Sequence, residues 1–131
     1  MATHSRIAVQ NADGTFLSIY CHWDGYPSGV GKDLLNEHNG AQAARALMKH
    51  GDLSTLSPLA SYRSRSGKNV DAQIHNSMED LHSFALDCGV DWIYLWTTEW
   101  MCQPYGGFAG KTSGFSKKWK TIKDAVKAES E

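Results

Sequence analysis

The stretch from Arg6 to Trp23, RIAVQNADGTFLSIYCHW, decides how this chain folds. Ile7 and Val9 alternate with Arg6, Ala8 and Gln10, Asn11-Ala12-Asp13-Gly14 supplies a turn, and Thr15 to Trp23 resumes the alternation with Leu17, Ile19, Cys21 and Trp23 on one face. Asp-Gly between two alternating runs is a strong hairpin signal, because glycine accepts the positive φ that a tight turn demands. The other face of the second strand carries Phe16, Ser18, Tyr20 and His22. That face is only partly polar, and the sequence leaves open whether something covers it.

Working outward, Trp92 to Trp96 and Glu99 to Gln103 flank Thr97-Thr98 and predict a second hairpin, with Trp92, Tyr94 and Trp96 sharing a face. Between the hairpins the apolar spacing predicts helices over 30–38, with Val30, Leu34 and Leu35 inward, and over 41–49, closed by Gly51. Ser77-Met78-Glu79-Asp80 has the form of a capping box opening a helix whose stripe is Met78, Leu81, Phe84, Ala85 and Cys88, with a stop at Gly89. A last helix is expected over 116–127 with Trp119, Ile122 and Val126 inward, and the polar stretch 57–76 is expected as an exposed loop. The expected fold is α+β in a single domain over 1–131: an antiparallel sheet of about four strands from two β-hairpins, with several short helices packed mainly on one face.

The chain has 131 residues and a formal net charge of −1, which suits one core and opposes a chain-wide electrostatic attraction to nucleic acid. The most basic segment holds Lys111, Lys117, Lys118, Lys120 and Lys123. No apolar run is long enough to cross a bilayer and no signal-peptide core follows Met1, so the expectation is a cytoplasmic protein with no membrane partner. Cys21, Cys88 and Cys102 lack the C-x-x-C spacing of zinc and redox sites and read as reduced core thiols. Histidines at 4, 22, 38, 50, 75 and 82 match no helical ligand pair, so no metal or other cofactor is expected.

The densest cluster of chemically capable groups is Tyr20 to Pro27, where a strand meets a loop. If the strand persists, Cys21 and His22 face opposite ways and cannot work as nucleophile and base, whereas His22 and Asp24 share a face and can hydrogen-bond. An Asp before Gly is also a common turn former. Gly25, Gly29 and Gly31 precede a helix and invite an anion-loop reading, although their spacing matches no phosphate fingerprint. Tyr26, Arg63, Arg65, Trp96 and Trp100 complete the candidate binding residues with Tyr20, His22 and Asp24, since aromatic and Arg side chains serve both base stacking and protein interfaces. Trp23, Trp119 and one face of the second hairpin are expected in the core.

The segments Thr3-His4-Ser5-Arg6-Ile7-Ala8, Asp13-Gly14 and Ser18 to Gly31, SIYCHWDGYPSGVG, resemble a family of small proteins encoded by bacteriophages and prophages; the likeness covers about the first quarter of the chain, with a looser similarity over 92–102. The resemblance implies a setting, that of an accessory protein in a host bacterial cytoplasm that binds and inhibits a host or antiviral-defence component, such as a CRISPR effector, by protein contact. The leading expectation is therefore a non-enzymatic binding protein with a host or defence-system partner, able to form a homo-oligomer through its aromatic hairpins. The alternative is a binder of nucleotides or single-stranded nucleic acid. A small enzyme using His22 and Asp24 is the third.

Overall fold

A computed structural model of the chain describes residues 3–62, 70–104 and 119–129. β1 (Ser5–Gln10) and β2 (Phe16–Cys21) form an antiparallel pair with Ile7 opposite Ile19 and Val9 opposite Leu17. Their turn is built as the sequence requires: Gly14 has φ +88°, and the Asp13 carboxylate accepts from both the backbone N–H and the hydroxyl of Thr15. A π-helical turn, Pro27–Gly31, runs into α1 (Lys32–Glu37), followed by α2 (Ala41–Met48) and three short strands, β3 (Leu53–Thr55), β4 (Ala60–Ser61) and β5 (Gln73–His75). α3 (Met78–Cys88) leads into β6 (Trp92–Trp96) and β7 (Trp100–Pro104), and β8 (Lys120–Thr121) precedes α4 (Ile122–Glu129).

These strands make one mixed sheet of eight, in the order β4-β3-β2-β1-β6-β7-β8, with β5 pairing β2 off that path. The expected antiparallel sheet of about four strands is therefore corrected. Both hairpin pairs are present, but β1 joins β6 in parallel, and β2 joins β3 in parallel, so the hairpins lie side by side inside a larger sheet. Alternation along a strand shows which residues share a face and says nothing about which strand comes next or in which direction. The polar stretch 57–76 contributes β4, which pairs with the neighbouring β3, and β5, whose partner β2 is distant in sequence.

The helices expected mainly on one face divide three to one between the two faces. Ile7, Val9, Ile19, Cys21 and Tyr94 form one core with Val30, Leu34, Leu47, Met48 and Ile122, which places α1, α2 and α4 on that face. Ala8, Phe16 and Leu95 pack with Leu81, and Ile93 with Ala85, which places α3 on the other. Each fully buried aliphatic side chain contributes about 1.5–3 kcal/mol. The strands of both hairpins are apolar on both faces, and only two layers of helix can bury them.

α3 is stopped as its sequence predicts: the Ser77 hydroxyl accepts from Asp80 N at 3.1 Å, and Gly89 caps the far end at φ +68°. The last helix differs from its expected bounds, since Lys120 and Thr121 pair with β7 and Thr121 then caps α4 by accepting from Asp124 N. Residues 116–118 lie outside the described residues.

Candidate functional site

α3 packs Leu81 with Phe16, its last turn joins Tyr20 in a cluster around Ala85, and Tyr20 also walls a cavity of about 280 Å³. Arg6, opposite Tyr20 across the β1–β2 pair, lines it together with Phe84 and Cys88 of α3. The remaining wall comes from Asp52, Tyr62, Val70 and Gln73. That wall is a backbone knot: Asp52 N donates to Val70 O at 2.7 Å, and Tyr62 N donates to Asp52 O at 2.9 Å. Gly51, at φ +69°, permits it, because a Cβ there would collide with Val70 O.

Arg6 is 2% exposed. Its Nε donates to Ser18 Oγ at 2.7 Å and Nη2 to Ser18 O at 3.3 Å, while Nη1 makes a long contact of 3.8 Å to Cys88 Sγ. The guanidinium lies over the Phe84 ring at 4.5 Å. Among the described residues no carboxylate comes within ion-pair distance, and each terminal nitrogen keeps an N–H without a protein acceptor. Burial lowers the Arg6 pKa, against which Cys88 and Asp52 act in the opposite sense. The Asp52 carboxyl is raised by its own burial and drawn back by the Tyr20 N–H, which Oδ1 accepts at 2.9 Å, and by Arg6.

Ser18 Oγ also meets His75 Nε2 at 2.6 Å. Burial and Arg6 lower the His75 pKa, which favours the neutral ring, and Ser18 Oγ thus bonds both Arg6 and a neutral imidazole. Ser18 and His75 resemble a nucleophile and base, yet both are buried and neither lines the cavity. Their role is to hold Arg6 in place.

From the cavity mouth a strip of rings leads outward. Tyr20 and Tyr62 meet edge to face at 5.6 Å, Tyr62 and His22 at 5.4 Å, and His22 and Trp23 edge to face at 4.8 Å. The Tyr20 hydroxyl and His22 Nδ1 hydrogen-bond at 2.8 Å, and His4 Nδ1 donates to the His22 carbonyl at 2.8 Å. Burial and the neighbouring His4 lower the His22 pKa. Trp23, expected in the core, is 46% exposed, because β2 ends at Cys21 and the alternation ends with it.

The other candidate residues lie elsewhere. Asp24 takes φ +60°, and Tyr26 OH donates to its Oδ1 at 3.3 Å, so the described contacts of Asp24 run to Tyr26 and not to His22. Trp96 and Trp100 meet edge to face at 5.5 Å at the tip of the second hairpin. Trp100 is 2% exposed, with Nε1 donating to His38 O at 2.9 Å, which makes it a core anchor. It also borders a second cavity of about 290 Å³ with Leu35 and Ile122, mostly apolar and without a buried charge. Arg63 and Arg65 lie outside the described residues.

The glycine-rich loop does not present an open anion cradle. Gly25 N, Gly29 N and Val30 N donate to Thr3 O, Tyr26 O and Asp24 O, and Ser28 N donates to the Glu129 carboxylate at 3.1 Å. Tyr94 OH donates to Gly25 O at 2.6 Å, and a Cβ on Gly25 would stand 2.7 Å from Thr3 O. The segment from Gly25 to Val30 is thus a packing device that ties Thr3, α4 and β6 together.

Sequence reasoning passed over Arg6, Asp52, Gln73 and Phe84, which fall in four different elements or loops. The one local signal was the presence of Arg6 at a central strand position between apolar neighbours, where a charge is costly unless it is used. Among the described residues no group of three His, Cys, Asp or Glu is placed to hold a metal ion, and no helix is long and apolar enough to cross a membrane. No family model, no curated protein and no solved structure matches the chain.

Proposed function

We propose that the chain is a non-enzymatic binding protein that receives a small ligand bearing an acidic group in the Arg6 cavity. The observation that carries this reading is a buried guanidinium that lines a cavity with N–H donors to spare and no carboxylate in contact. Burying a cation costs several kcal/mol unless it is paired. Here the protein supplies two oxygens of one serine, a thiol and a ring face, and an arriving anion supplies the rest. The ring strip beside the mouth gives a planar ligand a surface to stack on, which brings the nucleotide reading into the same site.

Two-dimensional NMR titration of the chain with small monocarboxylates and mononucleotides tests this. Saturable shifts concentrated at Tyr20, Tyr62 and Gln73 are expected. Their absence with both classes would sink the reading.

A second reading follows from Trp23 and Tyr26, 46% and 38% exposed beside this end of the sheet. In the host cytoplasm that the phage resemblance implies, a host or defence-system protein would rest on these rings and be inhibited by contact. Salt separates it from nucleic-acid binding, whose affinity falls steeply with ionic strength while an apolar contact holds. Size-exclusion chromatography of the free chain reports any homo-oligomer.

A further inference from the structure

We propose that the Arg6 cavity is built for a zwitterion of the α-amino-acid class, its carboxylate on Arg6, its ammonium on Asp52 and its side chain against the Tyr20 and Tyr62 rings. This rests on the ligand-site reading above and narrows it to one chemistry.

Two opposite charges line one small cavity without neutralising each other by contact. Arg6 has no carboxylate within ion-pair distance among the described residues, and Asp52 engages the Tyr20 N–H through Oδ1 while Oδ2 meets no described partner. A ligand with an anion alone would gain from Arg6 and be opposed by Asp52, and a cation alone would meet the reverse. A ligand carrying both satisfies both, and electrostatic complementarity of this kind sets specificity.

A phosphate fits less well. It brings nearly two negative charges and calls for several cationic or N–H donors. Among the described lining residues Arg6 is the sole base, and Asp52 repels. A carboxylate is matched by one planar guanidinium held in fixed orientation, and Ser18 and Phe84 fix this one.

Size points the same way. Ligand pockets commonly span roughly 300–1,000 Å³. At about 280 Å³ this cavity lies at the lower edge and suits one amino acid better than a dinucleotide. Its ring walls favour an aromatic side chain, which packs edge to face or offset against tyrosine.

The test is calorimetry and NMR titration of the full chain with each standard α-amino acid, then with the des-amino and decarboxylated analogues of the tightest, with mononucleotides run alongside. An aromatic amino acid is expected to shift Tyr20 and Tyr62 saturably and to bind about tenfold or more tighter than either single-charge analogue. Asp52→Asn, which keeps an oxygen for the Tyr20 N–H, should erase the advantage over the des-amino analogue, weakening the amino acid and tightening the analogue that the Asp52 charge opposes. Arg6 is left in place because it sits inside the core.

Equal affinity for the amino acid and its des-amino analogue overturns the zwitterion and leaves the acidic-ligand reading standing. Shifts from carboxylates or mononucleotides with none from any amino acid do the same. Silence from every probe overturns both.

Discussion

Arg6 and Ser18 meet diagonally across the β1–β2 pair, with Nε donating to Oγ at 2.7 Å, and one serine thereby holds both a buried cation and, through its hydroxyl, the ring of His75. Removing that oxygen strands polar groups on both sides. Ser18→Ala is expected to cost about 1–3 kcal/mol, the usual penalty for leaving a buried donor unpaired. Urea unfolding monitored by tryptophan fluorescence measures it, and a loss below about 0.5 kcal/mol would mean that Arg6 is not held by Ser18.

Acid should weaken the fold. His75, His82 and His38 all have pKa values lowered, chiefly by burial, so they are neutral when folded and take up protons more readily when unfolded. Stability is full above the unfolded histidine pKa of about 6.5 and falls as the pH drops below it toward the lowered folded values. Asp52, raised by burial, has the opposite sign, acting from about pH 4 upward. Thermal unfolding between pH 7.5 and 5 should show the midpoint decline, and His75→Gln should make the decline shallower.

Gly25→Ala should destabilise by about 2 kcal/mol or more, because the new Cβ would stand 2.7 Å from Thr3 O and 2.9 Å from the His4 carbonyl carbon, both backbone atoms. Gly14→Ala meets no atom but sits at φ +88°, and should cost only about 1 kcal/mol. Paired denaturation curves rank the two, and a reversed order would show that the SIYCHWDGYPSGVG segment is not held by close packing.

Trp100→Phe and Trp23→Phe should behave oppositely. The first loses the Nε1 bond to His38 O inside the core and should cost about 1–2 kcal/mol. The second alters a side chain 46% exposed and should stay within about 0.5 kcal/mol.

The cysteines should be silent in the native state. Burial pushes Cys21 and Cys102 up to about 12, and Cys88 is raised as well. Reaction with a thiol reagent at pH 8 is expected only on unfolding. Rapid labelling of Cys88 in folded protein would show an open route past Phe84, to be compared with and without a bound ligand.

Local structure was legible wherever one short segment carries its own cause. Asp13-Gly14 makes its turn, Ser77 caps its helix and Gly89 ends it, all by contacts within a few residues. What was hidden depends on partners far along the chain. β3, β4, β5 and β8 have only two or three residues each, too few to show a period; β3, β5 and β8 exist because a longer strand offers its edge, and β4 because β3 is held there. Tyr20 and His22 were legible as chemically capable groups where a strand meets a loop, but not whether their face is covered. Arg6 and Asp52 were not, since nothing near either residue shows that the fold brings both to one cavity.

The parallel union of β1 with β6 has a consequence during synthesis. His4 and Asp91, which hydrogen-bond beside it, are 87 residues apart, so β1 leaves the ribosome and waits for that length of chain before its second neighbour exists. The Asp13-Gly14 hairpin can close early, but Arg6 then stands in water until α3 and β6 arrive. Such long loop closure slows folding, and a nascent chain halted before Trp92 should expose an unpaired strand edge to chaperones.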